Sequence, residues 1–184
     1  MTKGTRCLNF VMRVLRGTHW QVKVQAYKTL VRPVLEYGGM VWDPYRLGQV
    51  EEMERVQRQA ARRVTGRMKR WRWDATKKSR EHVSVSKIIQ QLGWESLSQR
   101  RKKARLCGLH RALSDTEGWR EIRAGIEETQ NGRYGQRLRE KGANMEVGRN
   151  AFLARTIREW NLLEKSLCEN AVKISPKLFS KYLD

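Results

Sequence analysis

Leu47, Val50, Met53, Val56, Ala60 and Val64 recur at steps of three and four residues. An α-helix brings such positions to one face, so residues 47–64 predict a long amphipathic helix. Its other face is charged, with Glu51, Glu52 and Glu54 near the start and Arg58, Arg62 and Arg63 near the end. That order complements the helix dipole, and the glutamates read as solvated first-turn residues. Helical spacing governs much of the rest. Leu8, Val11 and Leu15 mark a first helix. Thr18 and Gln21 read as a capping box for a second, which carries Val22, Ala26 and Leu30 on one face and Val24, Tyr27 and Val31 on another. Pro33 should kink or restart it, Gly38 and Gly39 should end it, and residues 41–45 read as a connector built on Asp43-Pro44. Ser84 and Gly93 bracket a helix through Val85, Ile88 and Leu92. Ser96 and Gln99 form a second capping box, followed by a helix reaching Leu113. No strand alternation stands out, so the expected class is all-α, a helical bundle over residues 1–114.

From 115 to 150 six glycines interrupt the pattern, and the segment reads as a polar, Gly-rich connector with one short helix near Trp119–Ile126. Residues 151–184 read as a small helical extension. Ile157, Trp160 and Leu163 share one face there, and Ser175-Pro176 opens a last helix with Leu178, Phe179, Tyr182 and Leu183.

The chain of 184 residues carries a formal net charge of +20. An excess of that size attracts polyanions and says nothing about fold. Two clusters concentrate it. Arg62, Arg63, Arg67, Lys69, Arg70, Arg72, Lys77, Lys78 and Arg80 surround a break at 66–82, opposed only by Asp74, with Trp71 and Trp73 among them. Arg100, Arg101, Lys102, Lys103 and Arg105 fill the first two turns of their helix, where the dipole prefers anions. Cations release phosphate counterions and exposed indoles stack on unpaired bases, so both clusters point to nucleic acid without sequence readout. The competing reading is a solvated charged face with the tryptophans as core anchors.

Catalytic chemistry lacks its residues. The four aspartates, Asp43, Asp74, Asp115 and Asp184, are dispersed, whereas a two-metal polymerase or nuclease clusters carboxylates around ions about 4 Å apart. Cys107 and His110 sit three apart on a helix, yet no second ligand pair follows; a small metal-dependent hydrolase would need that pair loaded with zinc. No phosphate-binding Gly loop and no serine-hydrolase motif occurs. No catalytic residue, metal site or cofactor is therefore expected. The three cysteines, Cys7, Cys107 and Cys168, are scattered and odd in number, which fits a reducing, intracellular compartment, nucleus or cytoplasm. No apolar run is long enough for a membrane span.

Five strings occur in order: YKTLVRPVLEY at 27–37, VWDPY at 41–45, ERVQRQAAR at 54–62, LGWESLSQRR at 92–101 and RTIREWN at 155–161. Together they resemble the region after the polymerase palm in reverse transcriptases of non-LTR (LINE-type) retrotransposons, over most of the chain from about Cys7 onward. The resemblance implies a thumb-like helical bundle that contacts the backbone of a template–primer duplex, with the palm's paired aspartates upstream of this region. The chain departs from the family in its longer basic connector at 66–82, in Phe152-Leu153-Ala154 before Arg155 where aromatic-Pro is usual, and in Leu162-Leu163 where Leu-Pro is usual.

The expected function is non-catalytic binding of RNA, DNA or an RNA–DNA hybrid through its backbone. Arg55, Arg58, Arg62 and Arg63 would line one face of the 47–64 helix. Arg67, Lys69, Arg70, Trp71, Arg72, Trp73, Lys77 and Lys78 would extend it, as would Arg100, Arg101, Lys102 and Lys103. Trp42, Trp94 and Trp160 are expected to be structural. The alternative is a protein-interaction module that packs an apolar face against a polymerase palm or another acidic protein.

Overall fold

The computed structural model describes residues 3–40, 43–66, 71–74, 76, 79–82, 84–114, 118–129, 137–140, 142–163 and 176–183. The fold is all-α in class. Its helices are α1 (Lys3–Val14), α2 (Trp20–Ala26), α3 (Arg32–Glu36), α4 (Leu47–Val64), α5 (Val85–Gln91), α6 (Leu97–Leu113), α7 (Arg120–Ala124), α8 (Glu146–Arg149), α9 (Phe152–Asn161) and α10 (Pro176–Tyr182), with a π-helical segment Tyr27–Val31 joining α2 to α3. Four short strands form two separate antiparallel pairs: β1 (Trp71–Asp74) with β2 (Ser79–His82), and β3 (Glu128–Thr129) with β4 (Arg137–Leu138). Both pairs correct the expectation of no strands. In the basic stretch, Trp71 and Trp73 already alternate with polar neighbours, a three-residue period of two that is too short to stand out against helices.

The chain divides into two compact units, Met1–Tyr37 with Arg46–Gln99, and Gly38–Tyr45 with Arg100–Asp184. The boundary falls inside α6 and not after residue 114. Each unit has its own apolar core, and α6 supplies both. Leu97 joins the first core, while Leu106, Leu109 and Ala112 join the second.

In the first unit the face of α4 read from sequence is buried over the later part of the helix: Val56, Ala60 and Val64, joined by Ala61, lie with Leu8 and Val11 of α1 and Ile88 of α5, whereas Val50 and Met53 are half-buried and Leu47, in the first turn, is 86% exposed. Tyr27, Val31 and Leu35 complete that core. They are spaced by four, which drifts around an α-helix at 3.6 residues per turn. The wider π turn over Tyr27–Val31 keeps them on one face. It also meets the requirement of Pro33, which lacks an N–H and sits in the first turn of the restarted helix α3.

Helix ends follow the sequence in some places and not in others. Ser96 caps α6, accepting the Gln99 N–H at 3.1 Å. Glu54 adds to that cap: its Oε1 accepts the Ser98 N–H at 3.0 Å, so it is not simply a solvated first-turn residue. The box at Thr18 does not form. The helix starts one residue later, with His19 at the cap and the Thr18 hydroxyl donating to Leu15 O at 2.9 Å. Ser84 holds the cap position of α5 without a side-chain bond. Gly93 ends α5 at φ +61°. A Cβ there would meet nothing within 4 Å. Gly93→Ala is therefore expected to cost only the left-handed backbone penalty, about 1–2 kcal/mol, read by urea denaturation.

In the second unit the expected loose connector is partly folded. α7 sits inside the region where a short helix was expected. Ile126 and Leu138 are buried in the core with Ile157, Trp160 and Phe179. The Asn161 side chain fastens the connector by bonding both backbone groups of Leu138. It accepts the N–H at 3.2 Å and donates to the carbonyl at 2.9 Å, as a neighbouring strand would.

Candidate nucleic-acid interface

A rotation of about 100° per residue puts Arg55, Arg58 and Arg62 within one 60° sector of α4, opposite the buried stripe. The Arg55 side chain is 63% exposed and lies 3.8 Å from Glu52; Arg58 pairs with Glu51; Arg62 has no ion pair among the described residues. The glutamates come from the same exposed face, with Glu52 and Glu51 side chains 57% and 66% exposed. Exposed pairs of this kind contribute about 0–1 kcal/mol, so a phosphate can displace them. Arg63 departs from the expectation. It lies about 100° from Arg62 around the helix, and its Nη1 donates to Asn9 Oδ1 on α1 at 2.5 Å. It braces α1 against α4 instead of extending the face.

The Trp-bearing strand β1 pairs with β2 in the register Trp71 with His82, Arg72 with Glu81 and Trp73 with Arg80. The backbone at Trp71, Arg72 and Trp73 is thus held in a hairpin. Arg67, Lys69, Arg70, Lys77 and Lys78 lie outside the described residues, as does Trp42.

The cluster at the start of α6 separates into two roles. Lys102 is exposed, and Arg100 and Lys103 are half-buried. Arg101 and Arg105 are buried, at 2% and 1% exposure. Arg101 Nε donates to Asp43 Oδ1 at 2.6 Å, and Arg105 Nη1 pairs with Asp43 Oδ2. Arg105 Nη2 also reaches both oxygens of Glu159 at 2.7 Å. Arg155 joins them, 3.1 Å from Asp43 Oδ2 and 3.5 Å from Glu159 Oε1. Its contact with Asp43 is an ion pair without hydrogen-bond geometry, since that Nη1 makes no hydrogen bond. Burial pushes the Arg105 pKa down, and the hydrogen bond and charge of Glu159 push it back. A guanidinium stays protonated regardless, so Asp43 and Glu159 are what make its burial tolerable. Arg101 is therefore corrected from a nucleic-acid contact to a member of this network. A phosphate cannot reach it without breaking the pair with Asp43.

Cys107 is half-buried and in no disulfide among the described residues. His110 is fully buried, with its ring stacked on Phe179 at 4.4 Å and 6.5 Å from Trp160. No group of three or more His, Cys, Asp or Glu that could hold a metal occurs among the described residues.

The five sequence strings meet at two buried polar nodes, one in each unit. In the first unit, the Tyr27 hydroxyl donates to Gln57 Oε1 at 3.0 Å, Gln57 Nε2 donates to Glu95 O at 2.8 Å, and the Tyr27 ring stacks on Trp94 at 4.3 Å. In the second, Asp43, Arg101, Arg105, Arg155 and Glu159 interlock as above. The string residues at these nodes thus hold each unit together. Among the described residues no helix is long and apolar enough to cross a membrane. In comparisons with known proteins, no family model, no curated protein and no solved structure matches this chain.

Proposed function

We propose that this chain binds nucleic acid through the sugar–phosphate backbone, without catalysis, in the manner of a thumb-like element of a LINE-type reverse transcriptase. The observation that carries the reading is the sector of Arg55, Arg58 and Arg62, set on the outward side of α4 in a chain of net charge +20. Cations held on a rigid helix neutralise successive phosphates and release counterions, which gives affinity without sequence preference. Lys102 and the half-buried Arg100 and Lys103 add cations at the start of α6, and the β1–β2 hairpin adds a basic arm. The partners are RNA, DNA or their hybrid, within an intracellular compartment.

Binding of the full chain to an RNA–DNA hybrid, single-stranded RNA and duplex DNA tests this. With salt raised from about 50 to 200 mM, affinity should fall by at least tenfold for each polymer, with the hybrid bound at least as tightly as the others. Weak or salt-insensitive binding to all three would remove the reading.

A further inference from the structure

The outward side of α1 carries Arg6, Phe10 and Arg13, spaced by four and three residues. At about 100° per residue they share one sector of roughly 60°, opposite the buried Gly4, Leu8 and Val11. All three are exposed, Phe10 at 66%. The cations here are not neutralised as they are on α4, where Arg55 and Arg58 lie against Glu52 and Glu51. Residues 1–35 contain seven Lys and Arg and no Asp or Glu. Neither Arg6 nor Arg13 forms an ion pair among the described residues. A solvated charged face would account for the two arginines. It does not account for the phenyl ring between them, or for Val14 one turn further on, which is 64% exposed.

This stripe borders the arginine sector of α4. Asn9 of α1 accepts the bond from Arg63 of α4, which marks where the two helices meet. Arg6 and Arg13 stand three residues before and four after Asn9, within about 60° of it around the helix. On α4, Arg55 and Arg62 lie about 80–100° from Arg63, on its outward side. The Asn9–Arg63 bond thus runs between two rows of cations, Arg6 and Arg13 on one helix and Arg55, Arg58 and Arg62 on the other. We propose that the two rows grip the two strands of one A-form duplex across its minor groove, with Phe10 against the sugar edges. This rests on the backbone-binding reading above and names its polymer: an RNA–DNA hybrid or double-stranded RNA. Packed helices have axes about 8–10 Å apart, so cation rows on separate helices are spaced more widely than the minor groove of B-form DNA, about 6 Å across. An A-form duplex, the geometry a hybrid shares, offers a wide, shallow minor groove displaying its sugars. A single strand presents phosphates to only one row at a time.

The test is binding of the intact chain to an RNA–DNA hybrid, double-stranded RNA, B-form duplex DNA and single-stranded RNA near about 0.1 M salt. The parent should hold the hybrid and double-stranded RNA more tightly than the other two. Arg6→Gln with Arg13→Gln, both at exposed sites and shown to be folded by circular dichroism, should lower hybrid affinity by about tenfold or more and the salt slope by roughly one to two units. The loss on single-stranded RNA should be smaller by at least about fivefold, because one row suffices for one strand. Phe10→Ser keeps every cation, so it should weaken hybrid binding by about fivefold or more with the slope unchanged. A parent that binds every polymer weakly or without salt dependence would remove the backbone-binding reading, and this inference with it. Four results in a salt-steep parent would overturn this inference alone: tighter binding of B-form DNA than of the hybrid, hybrid affinity that survives the two arginine substitutions, an equal loss on single-stranded RNA, or hybrid affinity untouched by Phe10→Ser.

Discussion

Asp43→Ala is expected to destabilise the second unit by about 3–5 kcal/mol, more than any surface substitution in the chain. Asp43 is 6% exposed and contacts three guanidiniums, two of which have only 2% of their side chains exposed. Among the described residues, removing it leaves Glu159 as the carboxylate paired with Arg105 and Arg155. The cost is that of buried guanidinium charge losing a carboxylate partner, and it exceeds the net worth of the pair itself. Two measurements separate these terms. Hydrogen exchange should show protection lost in α6 from residue 100 onward and in α9, with α1 and α4 much less affected. Asp43→Ala combined with Arg101→Met removes both partners and should recover part of the loss, because an apolar replacement of a buried pair is often neutral. A melting temperature unchanged by Asp43→Ala would mean that the network is not formed in solution.

The second large effect concerns binding. Arg55→Gln, Arg58→Gln and Arg62→Gln together remove three cations from one sector of α4 without touching its buried stripe. Each phosphate contact contributes about 0.9 to the slope of log affinity against log salt for duplex DNA, so the triple variant should lose between two and three units of slope. Affinity near 0.1 M salt should drop by one to a few orders of magnitude, on the same basis. Arg63→Gln supplies the contrast. Its guanidinium is engaged with Asn9, so its main expected effect is on stability, by about 0.5–1.5 kcal/mol, with little change in slope.

The long periodic elements were legible in the sequence because one local rule, apolar residues every three to four positions, determines both helix and buried face. α4 begins and ends at the residues that the pattern marks, and Ser96 caps α6 as its spacing with Gln99 indicates. The Thr18 box failed where local rules compete. Its hydroxyl had a nearer acceptor in the turn closing α1, and the cap moved to His19. Leu138 is a single apolar residue between Arg137 and Arg139, and its backbone is held by the amide of Asn161, 23 positions beyond it. No local pattern carries that information.

The site was legible in outline and misassigned in part for the same reason. Charge runs identify where cations concentrate, but not which of them face inward. Arg101 looked equivalent to Lys102 until Asp43, 58 positions earlier, was seen to neutralise it. One signal did exist. A run of cations in the first turns of a helix opposes the dipole, and an isolated aspartate in an apolar Trp-Asp-Pro connector wants a buried partner. Each anomaly explains the other, a pairing that becomes evident only with the two segments side by side. Arg63 was grouped with Arg62 by adjacency alone, although consecutive residues on a helix lie about 100° apart.

The most direct measurement is the salt dependence of RNA–DNA hybrid binding for the parent chain and the Arg55, Arg58, Arg62 triple glutamine variant, both shown to be folded by circular dichroism. A steep slope for the parent, shallower by two to three units in the variant, is the result expected from backbone binding through α4. A steep slope shared equally by both proteins would place the interface elsewhere, and a flat slope in the parent would contradict backbone binding altogether.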